Sequence, residues 1–80
     1  MEKIENEIVE ILQKYTFNKD VWKDFNVNSK ITSDLKINSA RIVDIILDIE
    51  EKYEIEIEDK LLDKIKTIGD MKNVINNKLQ

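Results

Sequence analysis

The stretch DLKINSARIVDIILDIEEKY, residues 34–53, changes character at Ser39. From there, at about 100° per residue, Ile42, Ile46, Ile49 and Tyr53 fall on one line, with Ile45 and Val43 beside it. That line predicts an amphipathic helix from Ser39 to about Tyr53, its apolar side turned to a core. The opposite side gathers Ala40, Asp44, Leu47, Asp48 and Glu51, with Arg41 at its margin. An acidic stripe is ordinarily a solvated face. A leucine set inside it is either an ordinary exposed residue or a small apolar contact for a partner.

Working outward, residues 2–15 place Ile4, Ile8, Ile11, Leu12 and Tyr15 on a second helical stripe. Between the stripes lies TFNKDVWKDFNVNSKITSDLKI, residues 16–37, which has no sustained period but holds Phe17, Val21, Trp22, Phe25, Val27, Ile31, Leu35 and Ile37. A floppy linker does not carry so many large apolar groups. The segment reads as a long connection pressed onto the bundle, with short helical turns started by Asn18 and by Ser33. Downstream, EIEIEDKLLDKI (54–65) alternates and then turns helical. A lone short strand has nothing to pair with, so Ile55 and Ile57 are expected in a buried, extended connection before a short helix at about Asp59 to Ile65. Thr67 with Asp70 three residues on forms an Asp variant of the capping box, opening a last helix through Met71, Val74, Ile75 and Leu79. The expected fold is all-α: one domain over residues 1–80, a small four-helix bundle of three longer helices and one short, with a long first loop.

Composition narrows the chemistry. The 80 residues include no cysteine and no histidine, which removes disulfides, Cys-based zinc sites, the usual general base and the main nitrogen ligand for metals. One modest core leaves little room for a deep cleft, and no Gly-rich phosphate loop or nucleophile–base arrangement is present. The acids of EIEIED (54–59) lack the D-x-D-x-D-G framework of a calcium loop. The reading is therefore a chain with no catalytic and no metal-ligating residues. No apolar run approaches the roughly 20 residues that span a bilayer, and the start MEKIENEIVE lacks a signal-peptide apolar region. A cytoplasmic monomer that does not engage membranes is expected. Residues 44–63 hold nine acids against Lys52 and Lys60, a local −7 within a net charge of −4. Such a field repels nucleic-acid phosphates and favours basic protein partners.

Ser39 stands at the mouth of that acidic helix, where backbone N–H groups and the positive end of the helix dipole favour an anion. It, or Asn38 beside it, is equally placed to cap the helix. The full-length pattern bears on that choice. An amphipathic first helix, a long loop, NSARIVDIILDIEEKYEIEI (38–57), a short third helix and the closing KTIGDMKNVI (66–75) together resemble the acyl carrier proteins, small helical bundles that bear phosphopantetheine on a serine. The resemblance implies that Ser39 is the attachment point of 4′-phosphopantetheine taken from coenzyme A. It also implies that Ala40, Arg41, Asp44, Leu47, Asp48 and Glu51 meet basic patches on a phosphopantetheinyl transferase and on acyl-loading and acyl-transferring enzymes. The cargo it implies is an acyl group of fatty-acid or polyketide-like biosynthesis; an aminoacyl or peptidyl carrier, and a helical interaction module with a degenerate serine, are the alternatives. Members of that family usually read Leu-Gly-x-Asp-Ser-Leu here. This chain reads LKINSA (35–40), with Lys36, Asn38 and Ala40 in place of Gly, Asp and Leu or Met, and Arg41 where an acid is common. These departures point to a specialised carrier.

Overall fold

The computed structural model of the protein describes residues 3–80. Three α-helices, α1 (Lys3–Gln13), α2 (Ile42–Tyr53) and α3 (Ile68–Leu79), form the bundle, and a 3₁₀ helix, Asp59–Lys64, stands between α2 and α3 as the short fourth element. Two further 3₁₀ turns, Lys19–Trp22 and Ser39–Arg41, lie in the first connection and ahead of α2. No strand occurs among the described residues, and an isolated bridge pairs Lys30 with Thr67. Glu2, where the sequence pattern starts the first helix, lies outside the described residues.

The stripes meet as their spacing requires. Ile8 and Leu12 of α1, Ile45 and Ile49 of α2, and Ile68, Met71 and Ile75 of α3 are completely shielded from solvent. Each such side chain contributes on the order of 2 kcal/mol by leaving water. Polar ties set the helix directions. Tyr15, just beyond α1, donates to Asp48 Oδ2 at 2.6 Å, and Tyr53, at the end of α2, donates to Glu7 Oε1 at 2.7 Å. The pairs 15/48 and 7/53 run in opposite senses, so α1 and α2 are antiparallel. On the α3 side the buried carboxylate of Glu5 is matched by Lys72, 2.9 Å away, as a buried charge must be.

The first connection is packed rather than loose. Ile31, Leu35 and Ile37 are as buried as the helical core, and the backbone is stitched to the start of α3. Ile31 N–H donates to Lys66 O at 2.9 Å, Ile68 N–H to Ser29 O at 3.3 Å and Gly69 N–H to Val27 O at 2.8 Å. A Cβ on Gly69 would stand 3.1 Å from that Val27 oxygen, so the chain's one glycine sits where the loop comes closest. Asn18 opens its turn as expected, its Oδ1 accepting from Asp20 N–H at 2.9 Å. The turn near Ser33 is instead closed by Asp34, whose longer carboxylate arm reaches back to Lys30 N–H at 2.8 Å. Phe17 does not join the packing. Thr16 turns inward and donates to Leu12 O at 2.8 Å, and Phe17 is left fully exposed.

Beyond α2, Glu54 takes a left-handed conformation (φ 55°) that ends the helix, with Ile55 N–H returning to Glu50 O at 3.1 Å. Glu50 Oε2 then accepts from Ile57 N–H at 2.7 Å, holding the extended connection in which Ile57 is buried and Ile55 half-buried. Val43, placed beside the core stripe by its spacing, is 54% exposed. The stripe that α2 buries is narrow, Ile45, Ile46 and Ile49, and Val43 falls outside it.

Candidate functional site

The 3₁₀ turn Ser39–Arg41 that leads into α2 is opened by Asn38. Its backbone is extended (φ −59°, ψ 131°), its Oδ1 accepts from Ala40 N–H at 2.9 Å, and its carbonyl accepts from Arg41 N–H at 2.8 Å. Of the two capping residues left open by the sequence, Asn38 is the one that caps, and what it caps is this turn; α2 itself has Arg41 at its N-cap with no side-chain cap hydrogen bond. Ser39 follows it on the exposed side of the turn, and its hydroxyl makes no side-chain hydrogen bond among the described residues. The hydroxyl is thus free to be modified without dismantling the helix start.

Ser39 lines a groove of about 560 Å³ whose apolar wall is Ile31, Ile42, Val43, Leu62 and Ile65. The exposed Val43 belongs here. The same groove has Lys30 and Lys66 among its lining residues. A phosphodiester on Ser39 would have Lys36 and Arg41 close by in the chain, and an uncharged arm leaving it would find an apolar channel. The residues present fit a phosphopantetheine group on both counts.

Lys36, three residues ahead of the serine, holds φ 58°. A side chain in this left-handed region costs about 1 kcal/mol relative to glycine. The cost explains the glycine usual at this place in the similar family, and makes the lysine a departure with a physical penalty.

The residues expected to face partners divide. Ala40, Arg41, Leu47 and Glu51 are exposed, Leu47 by 56%. Asp44 is held by Arg41 through a solvent-exposed pair at 3.1 Å, worth at most about 1 kcal/mol. Asp48 is different: it is half-buried and is the acceptor for the Tyr15 hydroxyl. That bond ties α2 to the end of α1. That hydrogen bond, reinforced by burial, pushes the Tyr15 hydroxyl up to about 12. The reciprocal bond from Tyr53 holds the Glu7 carboxyl below its ordinary range, while burial and Glu7 push the Tyr53 hydroxyl up. A half-buried tyrosine 33 residues away leaves no signal in the spacing of α2, so this second task of Asp48 was not legible there. Nor was the exposure of Phe17, which spacing alone cannot distinguish from a packed loop aromatic.

Among the described residues, no group of three or more acids, histidines or cysteines is arranged to hold a metal ion. No described helix is long and apolar enough to cross a membrane.

Comparison with known proteins bears on this arrangement. The family model described as "Phosphopantetheine attachment site" matches residues 22–75. A protein of Buchnera aphidicola subsp. Schizaphis graminum named "Acyl carrier protein" is 37% identical over 78 residues, covering 98% of this chain and 96% of that one. One of the same name from Campylobacter lari is 33% identical over 67 residues, 84% and 83% of the two chains. Another from Thermotoga maritima is 35% identical over 51 residues, covering 64% of this chain and 63% of that one.

Proposed function

We infer, because this chain belongs to the acyl carrier protein family, that the Ser39 hydroxyl is the point at which it bears its prosthetic group. That group is a covalently attached 4′-phosphopantetheine, and the chain is a carrier, not a catalyst. When bound, the group supplies a thiol that holds an acyl chain as a thioester, the nucleophile that a cysteine-free chain lacks. The observation that carries the assignment to Ser39 is the division of labour at the helix start. Asn38 makes the cap, and the next residue offers an exposed, unbonded hydroxyl beside an apolar groove. Ser29 is buried and accepts from Asn26 N–H at 2.9 Å, so it is a poor competitor.

The remaining residues orient and present. Leu47 and Ala40, exposed within carboxylates, supply a small apolar contact, and Asp44 and Glu51 attract the basic surfaces of the transferase and of acyl-handling enzymes. Encounters built on exposed pairs are worth about 0 to 1 kcal/mol each and are screened by salt, which suits a shuttle that must leave each partner. Asp48 supports this face by fixing α2 to Tyr15. We place the whole chain, residues 1–80, in fatty-acid or polyketide-like biosynthesis in the cytoplasm, with acyl rather than aminoacyl cargo because of the acidity of the 44–63 segment. Lys36, Asn38, Ala40 and Arg41 favour a dedicated set of partner enzymes over generic ones.

Intact-protein mass spectrometry after co-expression with a broad-specificity transferase tests the attachment. The parent chain gains one phosphopantetheine mass and Ser39→Ala gains none. Modification of Ser33 or Ser29 in the alanine variant would remove Ser39 from this role. On the loaded chain, Asp44→Lys and Leu47→Ala each slow transfer several-fold at low salt, and the Asp44→Lys effect shrinks at high salt.

A further inference from the structure

The serine turn stands between two grooves. One contains Ser39. The other, about 550 Å³, has Lys14, Tyr15, Phe17, Lys36, Asn38 and Arg41 among its lining residues. Three of these are cations on a chain whose net charge is −4. Phe17 is 100% exposed, whereas the other exposed large apolar side chains, Val43, Leu47 and Leu79, are only about half so. Phe17 thus offers a fully exposed aromatic ring in the same groove as three cations.

Two carboxylates bonded to residues of this groove are already engaged. Asp44 is paired with Arg41, and Asp48 with the Tyr15 hydroxyl. Lys14 and Lys36 have no ion-pair partner among the described residues. Lys36 adds an independent observation, since its left-handed backbone (φ 58°) would be relaxed by glycine. Strain retained at one residue points to a use for its side chain, and this side chain lines the groove.

We propose that the groove of Lys14, Phe17, Lys36 and Arg41 is a second docking surface, taking an acidic protein partner that offers an apolar pocket to Phe17, while the acidic face of α2 takes basic partners. The charges argue for a protein rather than a polyanion. A nucleic acid or an anionic membrane laid over three cations would also meet the exposed Asp44 carboxylate that Arg41 holds, on a chain of net charge −4. A protein surface carrying both signs can match Arg41 and Asp44 side by side. The proposal rests on the carrier reading only in that such a partner would be brought up to the arm on Ser39. It deepens that reading by giving the departures at Lys36 and Arg41 a specific occupant.

The test uses the full chain, unloaded and loaded, titrated with an acidic helical peptide of glutamate and leucine that carries one lysine to meet Asp44 and, separately, with a lysine–leucine peptide, read by backbone amide shifts. The acidic peptide is expected to shift Lys14–Phe17 and Lys36–Arg41. The basic peptide is expected to shift Asp44, Leu47 and Glu51 instead. Lys14→Glu combined with Lys36→Glu weakens the acidic peptide about tenfold, and Phe17→Ala weakens it through lost apolar contact. Lys36→Gly raises thermal stability yet still weakens the peptide, a combination that a merely structural lysine does not give. The proposal is overturned if the acidic peptide shifts lysines indiscriminately, or if its affinity is unchanged in these variants. It is also overturned if anionic phospholipid vesicles or a single-stranded oligonucleotide bind the groove more tightly than the peptide. Salt-sensitive dimerisation through Phe17 in sedimentation would overturn it too, with the acidic segment of a second copy as the occupant. Because peptide binding is measured on the unloaded chain as well, absence of loading at Ser39 would end the carrier reading while leaving the groove to stand or fall on its own shifts.

Discussion

At the start of α3 the hydroxyl of Thr67 accepts from Asp70 N–H at 3.0 Å, and the Asp70 carboxylate returns to Thr67 N–H at 3.0 Å and Lys66 N–H at 2.9 Å. At the 3₁₀ turn that leads into α2 the corresponding work is done by Asn38, and the hydroxyl residue that follows is left unbonded on the surface. The chain thus has two helix starts with a hydroxyl close at hand. One is closed by its hydroxyl, and the other is closed without it. A serine or threonine at a helix start has its hydroxyl free for another use only where a neighbour has already taken the cap, and the bonding pattern shows which case holds.

The closed start should suffer most when disturbed. Thr67→Ala removes the hydroxyl that caps α3 and weakens the hold of the first connection on that helix, since Ile68 and Gly69 N–H donate to Ser29 and Val27 across the same junction. A loss of about 1 kcal/mol is expected, within the usual range of about 0.5–2 for a cap. In a domain of this size that lowers the melting temperature by about 4–8 °C. Thermal denaturation followed by circular dichroism checks it. A Thr67→Ala chain as stable as the parent would mean that the loop contacts alone fix α3, and the contrast between the two starts would vanish.

The same contrast separates what the sequence discloses from what it does not. The T-x-x-D pattern, the stripes of α1 and α2, the short element at Asp59 and the buried Ile57 are written in local spacing, because periodicity and capping are short-range rules. The cap at Asn38 was one of two candidates, since adjacent polar residues both satisfy the same rule and backbone conformation selects between them. Two features depended on partners distant in the chain, the tie of Asp48 to Tyr15 and the seam between residues 27–31 and 66–69, while the outward turn of Phe17 came from the neighbouring Thr16 turning inward. Ser39 itself was singled out by full-length resemblance, and the free hydroxyl is what the structure adds. The strain at Lys36 was foreshadowed by the glycine expected there, but a backbone angle cannot be read from a residue letter alone.

A middle-sized effect tests how far the start of α2 leans on the end of α1. The Tyr15 hydroxyl is pushed up to about 12 by its bond to Asp48. A raised folded-state value means that the native chain holds the phenolic proton more tightly than the unfolded one. The stabilisation is therefore fully present below pH about 10, the ordinary tyrosine value, and is lost as pH rises from there through about 12. Tyr15→Phe should cost about 1 kcal/mol at neutral pH and make the alkaline loss of stability shallower. Some loss remains, because Tyr53 is shifted the same way by burial and Glu7. Urea unfolding at a series of alkaline pH values checks both parts. An unchanged slope in Tyr15→Phe would show that Asp48 is free to serve partners alone, and that α2 presents all its carboxylates alike.

The smallest effect on the fold is expected where the effect on function is largest. Ser39→Ala removes a hydroxyl with no intramolecular bond among the described residues, from an exposed position next to a cap that stays in place. Alanine is also the better helix former, so the turn at Ser39–Arg41 loses nothing by propensity. The change in stability should stay within about 0.5 kcal/mol, the range of ordinary surface substitutions, while attachment of phosphopantetheine disappears. Measured beside Thr67→Ala by the same denaturation, the pair reads out the comparison directly. If Ser39→Ala costs as much as Thr67→Ala, the Ser39 hydroxyl shares the cap with Asn38. Loading would then have to break a structural bond before it could form a chemical one, and the serine would no longer be the free handle that a carrier requires.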